Sequence, residues 1–351
     1  MERNLVTIRR VDDVVKHPNA DALDLLRIGG WQVVSAKGNF KTGDLCFFFE
    51  IDSILPDAPQ FKFLIDKQGK QYSKGLGARL RTIKLRGAVS QGLAIPTSEF
   101  PEILIHSDVS LDEQLGVYKY EPEEQAGSVA ANAKGSWPAW MPKTDQERVE
   151  NCYNEMVELT DRASILWYKE EKMEGSSITI YVKDGEFGVT SRNNDLKIDG
   201  NLQDKFIGAA FQAGWDNILS EGRNLAIRGE LCGPGIQGNI YKLLVPVIYV
   251  YDVWDIDNQV NLTPVERRAF LEYAAQALNI EINPVPSLTE EPIQLPLLDA
   301  IIEDANGESK IFYTKREGVV WKSDRVIKDR FGRAFIPSFK AISREYLLTE
   351  K

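Results

Sequence analysis

The chain has 351 residues, with 42 Lys plus Arg against 52 Asp plus Glu and a formal net charge of −10. That balance excludes blanket coating of a polyanion, which needs many cations on phosphates, so any nucleic-acid contact must use local patches. The length exceeds what one hydrophobic core organises, and 43% hydrophobic with 27% charged residues is ordinary globular composition, so two folded domains are expected.

In chain order, residues 1–120 carry a net charge of about +1 and residues 121–351 about −11. The first part holds short β-rich runs at 5–8, 31–35, 45–51, 80–85 and 92–96, split by Gly, Asn and Asp turn signals, which predicts a small all-β barrel or sandwich. Within 74–86 stand Lys74, Arg79, Arg81, Lys84 and Arg86 with no acid between them. That is the domain's candidate nucleic-acid contact; a charged edge strand protected from aggregation is the competing account. Residues 121–137 are small, polar and acidic, which predicts a linker over 121–140 and a second domain over 141–351. There, predicted strands at 177–182, 187–191, 224–231, 243–254 and 318–322 alternate with predicted helices at 148–159, 202–214 and 263–278, the last opening on Thr-Pro-Val-Glu. The fold class expected is α+β. Residues 281–308 hold seven acids and no Lys or Arg, a pattern that is usually a solvated face.

The scarce residue types narrow the chemistry. Cys46, Cys152 and Cys232 have no clustered spacing, which argues against a disulfide framework or structural zinc. His17 and His106 stand alone, so imidazole metal centres and Ser/His nucleophile pairs have almost nothing to draw on. No run of about 18 apolar residues exists and the opening MERNLVTIRR lacks an apolar signal core, so a soluble, cytoplasmic protein without membrane contact is expected. Neither GxxxxGK[ST] nor a strand followed by GxGxxG is present, which leaves P-loop and Rossmann nucleotide binding unsupported.

A different lysine stands out. Residues 171–177 read Glu-Lys-Met-Glu-Gly-Ser-Ser, a weak signal alone. In order there follow Ser191-Arg192-Asn193, Arg-Gly-Glu-Leu-Cys-Gly-Pro-Gly-Ile-Gln at 228–237, Ile-Tyr-Val-Tyr-Asp-Val-Trp at 248–254, Arg-Glu-Gly-Val-Val-Trp-Lys at 316–322 and Ser-Phe-Lys at 338–340. This collinear set resembles the covalent nucleotidyltransferases, the superfamily of ATP-dependent DNA and RNA ligases and mRNA capping enzymes. The resemblance implies a domain of ATP-grasp-like antiparallel sheets plus helices.

The chemistry asks for the same residue types. An amine that attacks an α-phosphate must lose its proton, and nearby cations or a divalent metal lower the pKa of a lysine. Hard Mg2+ or Mn2+ takes carboxylates and waters, for which Glu174, Glu230 and Glu317 are the anchors. The resemblance implies the individual roles. Lys172 forms a lysyl-AMP adduct from ATP, Glu230 and Glu317 hold the metal, and Arg192 meets phosphate or ribose. Lys322 and Lys340 meet the α-phosphate, and Glu171 reads the adenine amine in preference to guanine. Tyr249 or Tyr251 stacks on the adenine, the family pattern favouring Tyr251. Lys143 and Arg148, in a segment like that preceding the nucleophile of RNA ligases, touch triphosphate or RNA. Two departures stand out: Glu174 replaces a usual Asp, and Ser338 replaces the first lysine of the last motif.

His-Pro-Asn-Ala-Asp at 17–21, Gly-Trp-Gln-Val-Val at 30–34 and Leu-Arg-Gly-Ala-Val-Ser-Gln-Gly-Leu at 85–93 resemble OB-fold tRNA-binding modules. DNA ligases and capping enzymes carry their OB domain after the catalytic one, whereas eleven residues follow Lys340 here. An OB-like β-barrel placed first resembles the nick-sealing, phage RNA-ligase-2-like group with an N-terminal OB domain. The function implied is ATP-dependent joining of 3′-OH to 5′-phosphate on nicked or broken RNA, duplex or RNA/DNA hybrid, by a monomer. The alternatives are a non-catalytic RNA-binding protein and a GTP-using capping-type enzyme.

Overall fold

The computed structural model describes residues 4–103, 109–120, 132–143, 145–199 and 202–349. His106 and residues 121–131 of the expected linker lie outside the described residues. The chain divides into two compact units, Met1–Pro122 with Leu347–Lys351, and Glu123–Tyr346.

The first unit is built from short antiparallel sheets. The strand Leu45–Phe49 lies between Val6–Arg10 and Leu93–Pro96. Its Leu-Cys-Phe-Phe-Phe sequence is apolar on both faces, and alternation sends Phe47 and Phe49 into a core with Phe61 and Phe100 while Phe48 meets Trp31 at 5.7 Å. The predicted strand at 80–85 begins only at Ile83. Gly75–Arg79 ends before it, and Ile83–Leu85 opens a hairpin with Ala88–Ser90. Arg86 and Gly87 at its turn both have positive φ, 50° and 92°, as tight hairpin turns require. Buried His17 anchors this hairpin, Nε2 donating to the Leu85 carbonyl at 3.0 Å and Nδ1 accepting the Asn19 amide at 3.1 Å.

The second unit stacks polar strand faces between two sheets. The larger runs in the order Ala133–Ser136, Asn194–Leu196, Glu186–Thr190, Ser176–Lys183, Leu225–Cys232, Val247–Asp255 and Val260–Asn261. Residues 133–136, expected within a linker, thus form a strand of this sheet. Ile178, Ile180 and Val182 join Ile227, Leu231, Val250 and Val253 in a core closed by the helices Lys205–Gln212 and Pro264–Leu278. Ser177, Thr179 and Tyr181 therefore take the opposite face. The helix Pro264–Leu278 begins where predicted, on a capping box in which Thr263 and Glu266 satisfy each other's amides, a device contributing about 1 kcal/mol. The predicted strand 243–254 starts only at Val247. Pro246 cannot donate to a ladder, and Leu244 and Val245 before it are exposed.

The smaller sheet runs Glu147–Arg148, Ser338–Ile342, Gly318–Ser323, Trp167–Lys172. Trp167, Val319, Trp321, Phe339 and Ala341 pack beneath it against the helices Val149–Ala163 and Leu298–Asp304. The register pairs Lys172 with Gly318, Glu170 with Val320 and Tyr168 with Lys322, while Lys340 pairs with Val320. Residues directly opposite share a face, so Glu170, Lys172, Lys322 and Lys340 all project from the other side of the sheet. Gly318 is obligatory here because a Cβ would lie 2.2 Å from the Ala341 carbonyl oxygen.

Candidate active site

Lys172 ends its strand on the polar face, and the chain turns sharply through Glu174 and Gly175 into Ser176–Lys183. A Cβ on Gly175 would stand 2.5 Å from the Leu231 carbonyl oxygen and 2.9 Å from Glu230 Cγ, so the glycine after the lysine is what lets this turn close onto the strand of Glu230. Lys172 Nζ donates to Glu317 Oε1 at 2.6 Å. Burial alone lowers the pKa of this ammonium, but the charges of Glu317 and Glu230 outweigh it and hold the proton on, with Arg148 opposing them. Burial, together with the charge of Glu317 and against the pull of Lys172, pushes the Glu230 carboxyl up to about 8. The site therefore carries surplus acid around one amine.

Two residues back on the same face, Glu170 enters a different arrangement. Its carboxylate accepts from Arg267 and lies 3.0 Å from Lys322 Nζ. Lys322 also donates to Asp252 at 2.7 Å and to the Tyr251 carbonyl, and Arg267 stands 3.6 Å from Asp252. All four side chains are at most 8% exposed. Burial pushes the Glu170 carboxyl up, yet Arg267 and Lys322 together hold it below its ordinary value.

With this geometry in place, comparison with known proteins is decisive. Residues 165–342 match the RNA ligase family, and residues 5–97 match an OB-fold domain. Naegleria gruberi RNA ligase matches the whole chain. A variant of it with AMP and Mn is 33% identical with a TM-score of 0.88, covering 99% of this chain and 99% of that one. The chain belongs to the RNA ligase family. Another variant of the same ligase, with ATP and Mn, matches at 33% identity, TM-score 0.88 and 99% of each chain. The form with PPi matches at 34%, 0.86, 99% of this chain and 98% of that one. No curated protein sequence matches the chain. The OB-fold domain followed by a ligase domain of mixed sheets and helices is an α+β architecture.

Within this RNA ligase architecture the predicted site residues separate. Glu171 points to the face opposite Lys172. It is 1% exposed, its Oε2 accepts the Lys310 amide at 2.8 Å, and its Oε1 is buried without a partner. Glu174 is turned aside, Oε1 accepting the Gly238 amide at 3.0 Å, and burial raises its pKa. Among the described residues no three His, Cys, Asp or Glu side chains are grouped as a metal site, so the expected triad of Glu174, Glu230 and Glu317 is not assembled. Glu230 and Glu317 nonetheless fit Mg2+ or Mn2+, which take two hard carboxylates and complete their shell with water and phosphate oxygens. Tyr249 stands opposite Glu230. Tyr251 packs in the same cluster, its hydroxyl 3.2 Å from Ser177 Oγ, so the two tyrosines share the face of Glu230 as alternation predicts; the bulge opposite Arg228 and Gly229 follows them and brings Asp252 to that face as well.

Lys322 departs from expectation most clearly. Its ammonium is enclosed by Glu170, Asp252 and the Tyr251 carbonyl, so it holds two sheets together. Arg192 pairs with Asp145 at 3.7 Å, and its charge is felt at Glu230. Arg148 is buried, beside Lys340 in the register, and its charge acts on Lys172, so it faces the reaction centre and not bulk solvent. Exposed Lys143 donates to Asn193 Oδ1 at 2.9 Å.

The basic segment of the first unit divides as well. Arg79 pairs with Asp52 at 2.6 Å and lies 3.8 Å from the Tyr120 ring centroid, a structural role. Lys74 covers Tyr118 at 4.8 Å, Arg81 is half-buried, and Lys84 and Arg86 are exposed on the hairpin. Sequence reasoning missed Arg267, Asp252 and Glu170 as a group. The one available signal was Asp252, a single charge inside the apolar run Ile-Tyr-Val-Tyr-Asp-Val-Trp at 248–254, where an unpaired charge is costly.

Proposed function

We propose that the chain is an ATP-dependent RNA ligase that joins a 3′-OH to a 5′-phosphate through a lysyl-AMP adduct on Lys172. The observation that carries this is the Lys172 amine at 2.6 Å from Glu317, within the field of Glu230. The relatives with ATP, AMP, PPi and Mn support ATP as the nucleotide and Mn2+ or Mg2+ as the metal.

The chemistry follows from which groups hold the amine's proton. Glu317 and Glu230 stabilise the ammonium, so Lys172 becomes a nucleophile only when their charge is drawn elsewhere. Glu230 and Glu317 would hold a divalent cation, which would supply that countercharge and screen the phosphate oxygens. Lys172, its proton released to solvent, then attacks the α-phosphorus in line through Nζ, forming N–P as the bond to pyrophosphate breaks. Arg148, Lys340 and Arg192 bear on the phosphates, and the buried Glu171 Oε1 accepts from the adenine amine, which guanine's O6 would repel. AMP passes from Lys172 to the 5′-phosphate, and the 3′-OH displaces it to form the phosphodiester. The substrate class is nicked or broken RNA, as duplex or RNA/DNA hybrid, and the protein acts as a monomer. A reducing, cytoplasmic setting fits three free, buried cysteines, and no described helix is long and apolar enough to cross a membrane.

The test is incubation with labelled ATP or GTP and Mn2+, followed by a denaturing gel. Label from ATP that disappears in Lys172→Met is expected, with Lys172→Met still sealing a pre-adenylylated nick. Label from GTP alone overturns the reading, and no label from either nucleotide favours a non-catalytic RNA-binding protein. Sealing rates on nicked duplexes with each strand made of RNA or DNA then define the substrate, and light scattering the oligomeric state.

A further inference from the structure

Between the strands that carry Lys322 and Lys340 the chain makes an excursion, residues 324–337, that the active centre does not use. It is a hairpin in which Ile327–Lys328 pairs with Ala334–Phe335. Its turn is fixed by Asp329, whose Oδ1 accepts the amides of Phe331 at 2.8 Å and Arg333 at 2.9 Å, and by Gly332 at φ 79°. At the tip Phe331 is 68% exposed. The guanidinium carbons of Arg330 and Arg333 lie 4.8 and 5.3 Å from its ring centroid.

Both acids of the excursion are committed internally. Asp324 accepts the Leu166 amide at 3.0 Å and pairs with Arg325 at 2.7 Å, while Asp329 holds the turn and pairs with Arg333 at 2.8 Å. Exposed Lys328 and Arg330 leave the tip positive in a chain of net charge −10. A rigid exposed ring flanked by guanidinium groups is the chemistry that holds single-stranded nucleic acid, the ring stacking on a base and the cations meeting adjacent phosphates.

We propose that Phe331 is a stacking platform for an unpaired base of the RNA being joined, with Arg330 on a flanking phosphate; this deepens, and rests on, the RNA ligase reading. The strand Gly318–Ser323 runs from the partner of Lys172 to the hairpin's base, about 17 Å at 3.3 Å per residue. The hairpin's base thus stands several nucleotides of RNA away from the joint. A preference follows for RNA with an unpaired flank of that length.

The experiment measures, on the full chain, the Kd of a fluorescent single-stranded RNA and the KM for sealing. Phe331→Ala should raise Kd about tenfold, the scale of one lost base–aromatic stack, and Phe331→Trp should restore it. Arg330→Ala should flatten the slope of log K against log salt by about one phosphate contact. KM should rise in Phe331→Ala for RNA long enough to reach the tip and stay at the wild-type value for shorter RNA. Unchanged Kd in Phe331→Ala overturns the proposal, as does a rise that Phe331→Trp fails to reverse. So does unchanged Kd with Phe331-dependent retention on phosphatidylserine–phosphatidylcholine vesicles, which assigns the tip to a membrane. If the wild type seals no RNA, the ligase reading fails, and the Kd comparison still decides the hairpin.

Discussion

Glu170 and Lys172 stand two residues apart on one strand and one face, yet their surroundings differ in kind. Around Glu170 two acids meet two cations, Arg267 and Lys322, with every side chain nearly inaccessible to water. Around Lys172 two carboxylates act on one amine, and Lys172 and Glu317 remain 24% and 18% exposed. Where charges balance within a buried set, the set is a fastening. Where acid exceeds base beside an accessible amine, the surplus is available to a metal ion and a nucleotide. Family motifs alone do not draw this line, since Lys322 belongs to one of them and falls on the fastening side.

The largest effect that could break this division is at Lys172. Lys172→Met should reduce labelled adduct at least about a thousandfold, as removal of a nucleophile does, while moving the melting temperature little. Arg267→Met should show the reverse pattern. It leaves Glu170 and Asp252 to share Lys322, and breaking a buried pair costs about 3–5 kcal/mol, to be read from urea unfolding. Comparable stability losses in both variants would erase the distinction.

The two sets were unequally legible in the sequence. The Lys172 site was legible because phosphoryl transfer fixes both residue type and local spacing: the lysine, the glycine that lets its turn close onto Glu230, and the Glu-Gly that opens the strand opposite it. The fastening was not, because Glu170 and Arg267 are 97 positions apart and nothing local to either names the other. Glu170 belongs to none of the motifs, although alternation already put it on the face of Lys172. The basic run at 74–86 misled for a related reason. Charge count does not reveal that Arg79 turns inward to Asp52 and Tyr120. Likewise the apolar run at 243–254 read as one strand because periodicity cannot place its start, whereas Pro246 does.

Acid titration separates the sets next. Glu170 has its folded pKa held below the unfolded value of about 4.3, so its contribution is present above that value and lost as pH falls through the folded pKa. The wild type should therefore lose stability below about pH 4.3 more steeply than Glu170→Gln, measured by melting temperature across pH. Parallel curves would mean that the network does not depend on an ionised Glu170.

The titration of Glu230 has the opposite sign. Its folded pKa, about 8, lies above the unfolded value, so its contribution is fully present below about pH 4.3 and declines as pH rises towards 8. Glutamine does not titrate. In chelator, Glu230→Gln should thus gain stability relative to the wild type between pH 5 and 9, with no further gain beyond about pH 9. Mn2+ should cancel that gain, because a bound cation stabilises the ionised carboxylate that burial and Glu317 disfavour. The cancellation is specific to a surplus-acid site: Glu170 is already matched by Arg267 and Lys322, so the difference between wild type and Glu170→Gln should be the same with and without the metal. A slope at Glu230 that is indifferent to Mn2+ would remove it from the metal site, whatever its effect on adenylylation.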